Sequence, residues 1–403
     1  MHSGRALRSP SAFAPLSNPA MFQMFRLLPL ISLLTLPLLV APVAVQAQYT
    51  VKTVPNLAYA TVGAQTLLLD LYLPQGATAK TPVVLWIHGG AWSATTHIDK
   101  NNIGHITSVL VPKGIAVASL NYRLSEEAKW PAQIQDCKGA IRWLRANAEK
   151  YNLDGSVGAW GESAGAHLAA LLGTAGGVGM YTSGAYTVDL EGATGGNTGV
   201  SSLVQAVVDY YGPTDFFRSA QGAVKFGWDV TKPDFPPNML IDGFVLQNPD
   251  KCNAASSLTF VDKGDPPFLI FHGLADDQVL VEQSRFLDSA LKKSAVPCSL
   301  TTFPGLGHGG AAFWSAATTK SVYDFFAKNL KPSAIGILPG SKNPAPQNPM
   351  QRNADHRSSR APGSSVRKSM PGFGWGQGVW NASGHFLFGG IPQSDPRQVS
   401  PDR

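Results

Sequence analysis

The sequence predicts an α/β fold: a mostly parallel central sheet with helices on both faces. Three observations carry this expectation. The runs PVVLWIHGG (82–90) and GIAVASLNYR (114–123) are continuously apolar and end in turn or polar residues, as strands buried on both faces do. Segments with apolar residues at spacings of three and four separate such runs. Each strand-like run from residue 82 onward is followed by a short stretch rich in glycine or polar residues, where α/β sheets place their ligands.

The elements follow in order. LLLDLYLP (67–74) alternates and stops at proline, as an early antiparallel strand does. PAQIQDCKGAIRWLRANAEKYNL (131–153) has Ile134, Cys137, Ile141 and Leu144 on one helical face, and Pro131 suits a first turn. SVGAWGESAGAHLAALLG (156–173) reads as strand, tight turn and helix. Residues 174–203 are Gly-rich and read as loop. VQAVVDYYG (204–212) returns to strand, and 213–262 are irregular, with Pro233, Pro236 and Pro237. PPFLIFHG (266–273) is a buried strand, and VEQSRFLDSALKKS (281–294) an amphipathic helix with Phe286, Leu287, Ala290 and Leu291 inward. CSLTTFPG (298–305) is a last strand, and FWSAATTKSVYDFFAKNLK (313–331) a closing helix. These make one domain, residues 48–332, of about 285 residues, a size at which α/β folds remain single.

The ends are expected to lie outside that fold. Residues 24–47 have one cation, Arg26, an apolar run from Leu27 to Val45 and a small residue at Ala47. This is the layout of an export signal cleaved after Ala47. Pro29, Pro37 and Pro42 disfavour a spanning helix, so no stable membrane insertion is expected after cleavage. Residues 1–20 precede Met21 and Met24 and read as an over-extended start. Residues 333–403 read as a Pro/Gly/Ser/Arg-rich tail without periodicity, expected to be disordered. Its aromatics, among them Trp375 and Trp380, leave packing on the main domain as the other reading.

The net charge of +6 belongs to these ends. Residues 1–47 sum to +3 and residues 341–403 to +5, which leaves −2 for residues 48–340. A nucleic-acid-binding face on the folded domain is therefore not implied. Cys137, Cys252 and Cys298 allow one disulfide with a leftover thiol, or three thiols. No Cys/His spacing suggests a zinc site, and no metal or cofactor is expected.

The strand ends carry the chemistry. After residue 87 come His88-Gly89-Gly90-Ala91-Trp92, and after Trp160 come Gly161-Glu162-Ser163-Ala164-Gly165. After Phe271 come His272 to Asp277, and after Phe303 come Pro304 to Gly309 around His308. A serine hydroxyl is a weak nucleophile and needs a neighbouring base, which His308 can be. The base needs a carboxylate to fix its tautomer and stabilise its cation, which Asp276 or Asp277 can supply. The oxyanion needs preorganised donors, available as the N–H groups of Gly90, Ala91 and Ala164. The order Ser, Asp, His is that of the α/β-hydrolase triad. The bland readings are a helix N-cap for Ser163 and a surface loop residue for His308. His167 reads as a packed or capping residue, His88 and His272 as loop-shaping residues, and His97 and His105 as surface or rim residues. Glu162 should point away from the serine.

HGGAW, GESAG, HGLADDQV and GLGHGG, with WPAQIQDCKGAIRWLRANA and VVDYYGPTDF, resemble the hormone-sensitive-lipase-like α/β-hydrolases. The closest branch is that of bacterial feruloyl and acetyl-xylan esterases. The resemblance spans about Val54 to Leu330. It implies Ser163 as nucleophile, His308 as base and Asp276 as the orienting acid, because the family pattern is His-Gly, two residues, Asp, and later Val. Asp277 is the fallback. It implies that Ala91 replaces the last glycine of the family's oxyanion loop and that Trp92 borders the acyl pocket.

The expected function is a secreted or periplasmic serine carboxylic-ester hydrolase acting on short-chain acyl or feruloyl/acetyl esters of plant polysaccharide. A short acyl group is favoured because no long lid helix is evident. Residues 174–203 and 213–262 are expected to cover the site, with Tyr210, Tyr211, Phe216, Phe217 and Trp228 as candidate contacts, and core packing as the role of at least half of these. The alternatives are an amidase or arylformamidase, since the resemblance extends to the kynurenine formamidases through His-Gly-Gly-x-Trp, and a non-catalytic binding module.

Overall fold

The computed structural model describes residues 49–331; the expected export signal and the tail lie outside the described residues. The chain begins with a hairpin, β1 (Thr50–Val62) and β2 (Gln65–Gln75), followed by β3 (Thr81–Ile87), α1 (Ile106–Leu110) and β4 (Ala116–Leu120). Next come α2 (Ala132–Ala146), β5 (Leu153–Glu162), α3 (Ala164–Thr174) and a small hairpin, β6 (Met180–Ser183) and β7 (Tyr186–Asp189). Then follow β8 (Val207–Tyr210), α4 (Phe216–Ala223), α5 (Pro236–Ile241), α6 (Pro249–Ala255), β9 (Phe268–Gly273), α7 (Val281–Lys293), β10 (Cys298–Phe303) and α8 (Ala316–Asn329).

Eight of these strands form one sheet in the order β1-β2-β4-β3-β5-β8-β9-β10. Pairing is antiparallel between β1, β2 and β4, and parallel from β4 through to β10. The apolar runs are continuous because both faces are covered, and alternation along a strand divides them. On β3, Val83, Leu85 and Ile87 join the core on one face, with Ile141 of α2, Leu168 of α3 and Leu287 of α7. Val84 and Trp86 join the other, with Leu110 of α1 and Phe326 of α8.

The structure departs from the sequence reading in three places. The strand β1 went unread because it is an edge strand, mostly exposed, broken by Pro55 and by two register shifts. Edge strands tolerate proline and need no apolar run. The segment 213–262, expected to be irregular, contains α4, α5 and α6, each of eight residues or fewer. Short helices starting at Pro236 and Pro249 have too little length to reveal a period.

The third correction concerns 174–203. It contains the β6/β7 hairpin and lines no part of the cleft described below. It is drawn instead to three cations of α2. Lys138 Nζ donates to Ala175 O at 3.0 Å, Arg142 pairs with Glu191 and donates to Thr194 O at 2.9 Å, and Arg145 donates to Ser201 O at 2.6 Å and Leu203 O at 2.7 Å. Lys138 and Arg142 are buried beside the apolar face of the helix, and buried cations require oxygen partners. The carbonyls of this segment supply them.

Asp209 on β8 is fully buried. Its Oδ1 accepts from Gly212 N–H at 2.8 Å, while Oδ2 has no hydrogen-bond partner among the described residues. Burial pushes this carboxyl up to about 6 from an ordinary 3.8. Between those values the folded state binds more protons than the unfolded chain, so stability falls as pH rises through the window. Asp209→Asn should therefore stabilise the protein at pH 7–8 by up to about 3 kcal/mol and give no gain near pH 4. Urea unfolding at the two pH values measures this, and an equal effect at both would contradict it.

Cys137, Cys252 and Cys298 are all free thiols, which resolves the open question of pairing in favour of three thiols.

Candidate active site

The turn between β5 and α3 places Ser163 at φ 52°, ψ −120°, a backbone region costly for any side chain. Two glycines make the turn possible. A Cβ on Gly161 would lie 2.3 Å from the backbone of Gly165, and one on Gly165 would lie 2.0 Å from the carbonyl oxygen of Ile87. The helix start is therefore pressed onto the end of β3. Gly89 closes the contact from the other side, where a Cβ would be 3.3 Å from that of Ser163.

His308 reaches this serine from the loop after β10. Its Nε2 lies 2.8 Å from Ser163 Oγ and its Nδ1 lies 2.8 Å from Asp276 Oδ2. An ionised carboxylate only accepts, so Nδ1 carries the proton and Nε2 accepts from the serine hydroxyl. The loops after β9 and β10 are held together at Gly273, where a Cβ would meet Leu306 O and Gly307 O at 2.3 Å. Ala275 N–H donates to Leu306 O at 2.8 Å across the same seam.

Asp276 is 4% exposed, whereas Asp277 is exposed and faces solvent, so geometry favours the first of the two carboxylates. Asp276 Oδ1 accepts from the N–H groups of Gln278 and Val279, both at 2.9 Å. Its Oδ2 is shared between His308 and His272 Nε2, the latter at 3.2 Å. Burial on its own would raise the carboxyl, but these donors outweigh it and hold Asp276 well below the usual carboxylate range. His272 was expected only to shape its loop. It does so, through Val279 O at 2.8 Å and Ser284 Oγ at 2.7 Å, and it also braces the carboxylate.

The loop after β3 turns through Gly90, Ala91 and Trp92, all at positive φ. It is tied down by Glu126, which accepts from Ser93 Oγ at 2.5 Å and Ala94 N–H at 3.1 Å. Ala91, Trp92 and Ala164 line one cleft together with Ser163 and His308. Gly90 sits one step back, packed against Thr96 and Ile98. The far wall comes from 213–237, chiefly Pro213, Phe216, Trp228, Phe235 and Pro236, with Gln278 and Val279 closing the side. The cleft is mostly apolar, with Ser219 and Gln278 among its polar side chains.

Of the five aromatic candidates, Phe216 and Trp228 line the cleft. Tyr210 is fully buried and donates to Phe313 O at 3.1 Å, and Phe217 packs against the core. Tyr211, expected as a substrate contact, needs correcting. It is 5% exposed, lies behind His308 with ring centroids 4.6 Å apart, and donates to Glu162 Oε2 at 3.1 Å. The reason is its own backbone: φ 48° at the end of β8 turns the ring toward the loop of His308 and away from the cleft.

His167 is buried among Trp92, Trp130 and Phe216, with Nε2 2.7 Å from Ala255 O; burial pushes it down to about 4, so it stays neutral. His88 stacks on Tyr122. Sequence reasoning missed Phe235, Gln278 and Glu126. Phe235 stands in a proline-rich stretch without period, and Glu126 acts across 32 residues, so neither left a local signal. Among the described residues, no group of three or more His, Cys, Asp or Glu is arranged to hold a metal.

The profile of the BD-FAE family matches residues 69–291. Esterase LipC of Mycobacterium tuberculosis is 32% identical over 247 residues, 60% of this chain and 56% of the relative. The chain thus spans about half the length of the curated relatives it matches. A solved structure described as a truncated carbohydrate esterase from gut microbiota is 35% identical, with a TM-score of 0.61, covering 70% of this chain and 97% of the other. A bifunctional GH43-CE protein of Bacteroides eggerthii is 38% identical, with a TM-score of 0.60, over 68% of this chain and 38% of the other. With the elbow, the glycine loop and the Ser-Asp-His order on this sheet, and a profile match over more than half its length, the chain belongs to the BD-FAE family of hormone-sensitive-lipase-like α/β-hydrolases.

Proposed function

We propose that this protein is an exported serine carboxylic-ester hydrolase that acts on acyl esters of carbohydrate through an acyl-enzyme. The observation that carries the reading is the unbroken line from Asp276 through His308 to Ser163, each link 2.8 Å, opening on an apolar cleft. Ser163 Oγ attacks the ester carbonyl as His308 Nε2 takes its proton. Asp276 keeps the imidazole in the required tautomer and stabilises its cation. The N–H groups of Gly90, Ala91 and Ala164 are the donors this reading assigns to the developing oxyanion. The alkoxide leaves with the proton from His308, and water then repeats the sequence on the acyl-enzyme. A short acyl or a planar aryl-acyl group suits the walls formed by Trp92 and Phe216. Carbohydrate as the alcohol is supported by the solved relative described as a carbohydrate esterase. Export rests on the segment 24–47 of the sequence.

A fluorophosphonate probe should label the folded protein at Ser163 and fail to label Ser163→Ala. Acetylated xylan, feruloyl esters and p-nitrophenyl esters of increasing chain length then rank the acyl group. Turnover of aryl formamides faster than all of these esters would replace the esterase reading with the amidase one. Absence of labelling would favour the binding-module reading.

A further inference from the structure

The loop of His308 is tied to the loop after β9 at Leu306, but that tie does not set the plane of the imidazole. Gly305, Gly309 and Gly310 flank it at φ 72°, 106° and 122°, and glycine restrains its neighbours least of all residues. Two hydrogen bonds at the edge of the imidazole place its nitrogens against Asp276 and Ser163. Edge bonds leave the tilt of the ring plane free, and a tilt changes the direction in which Nε2 points. Something must therefore bear on the ring from its side.

The ring of Tyr211 lies there, 4.6 Å from that of His308 at an interplanar angle of 60°. It is wedged from beyond by Phe313, 4.8 Å away at 84°. Its hydroxyl donates to Glu162 Oε2 at 3.1 Å. Glu162 directly precedes Ser163, so the far end of this tyrosine is anchored on the nucleophile's own turn. The backbone agrees: Ser163 N–H donates to Tyr210 O at 2.9 Å, and Tyr211 N–H donates to Phe271 O at 2.9 Å. Tyr211 holds φ 48°, a strained value for an aromatic residue, which persists only where surroundings enforce it. Burial and the Glu162 charge raise its phenol well above the ordinary range, so it acts as a donor and never as a base.

We propose that Tyr211 and Glu162 form a strut between the nucleophile turn and His308, and that both are positioning residues for proton transfer. Glu162 carries the hydroxyl of Tyr211, and the Tyr211 ring sets the plane of the imidazole. This assignment rests on the serine-hydrolase reading of the site. It explains why a carboxylate half-buried beside the serine is retained without touching it.

The test uses Tyr211→Phe, Glu162→Gln and the double variant in the full chain. Each single variant should lower kcat for p-nitrophenyl acetate about tenfold with KM unchanged, the scale expected of a small misplacement of a reacting group. The double variant should lose no more than the worse single, because both changes break one strut. A second readout needs no turnover: the downfield proton resonance of His308 Nδ1–H should be sharp in the parent and broaden in both single variants. Additive losses, parent-like kcat in both singles, or an unchanged resonance would each overturn the strut. Because the resonance is read in resting protein, it separates failure of the strut from failure of the esterase assignment, which shows as an unlabelled parent enzyme.

Discussion

Asp276→Asn should lower kcat about 10⁴-fold, the scale of a triad whose imidazole is trapped in the wrong tautomer. The local geometry makes this site unusually strict. The four groups that contact the carboxylate are donors: the N–H groups of Gln278 and Val279 on Oδ1, and His272 and His308 on Oδ2. A carboxamide has one acceptor end and one donor end. Turned one way it opposes the loop N–H groups. Turned the other way it presents N–H to His308, which must then carry its proton on Nε2 and cannot receive one from Ser163. Asp277→Asn, at an exposed neighbour, should leave kcat near the parent value. Hydrolysis of p-nitrophenyl acetate by the two variants, with thermal unfolding as a check on folding, decides the matter. A larger loss at 277 than at 276 would overturn the choice of acid.

Gly165→Ala should destabilise the protein by at least about 3 kcal/mol, at the upper end of overpacking costs. The added methyl would sit 2.0 Å from Ile87 O and 2.5 Å from His88 O, both backbone atoms of the central sheet or the loop that follows it. Neither can yield as a side-chain tip would. Relief requires α3 to move away from β3, which also carries Ser163 away from Ala91 and His308. Loss of fluorophosphonate labelling should therefore accompany the shift in the urea midpoint. Gly179→Ala serves as the control, since nothing lies within 4 Å of its added methyl, and it should stay within about 0.5 kcal/mol of the parent. Equal midpoints for the two variants would refute the packing argument.

Much of this site is legible in the sequence because it sits where strands end. Runs such as 82–87 and 266–271 announce buried strands by composition, and the residues after them are then known to share one edge of the sheet. That is why Ser163, His308 and the pair Asp276/Asp277 could be named together although they are far apart in the chain. Less was legible where partners are set by long-range contact. Tyr211 sits next to a strand end like the others, yet its positive φ swings it behind His308, and no residue type announces that. The segment 174–203 reads as a loop free to cover the site, but buried Lys138 and Arg142, with half-buried Arg145, claim its carbonyls. The wall formed by Phe216, Trp228 and Phe235 comes from turns and from helices of eight residues or fewer, too short for a period to repeat clearly.

The sequence by itself determined the central parallel strands, the order of the chemistry-bearing turns that follow them and the residue types at each, because burial imposes a composition on every central strand. The choice between Asp276 and Asp277, the bracing of that carboxylate by His272, and the displacement of Tyr211 from the cleft to the back of His308 were decided only in the tertiary structure. These depend on backbone angles and on distances between loops that have no sequence relation to one another. Hydrophobic pattern is local and can be read along the chain; the direction of a side chain at a strained turn is a property of the assembled neighbours.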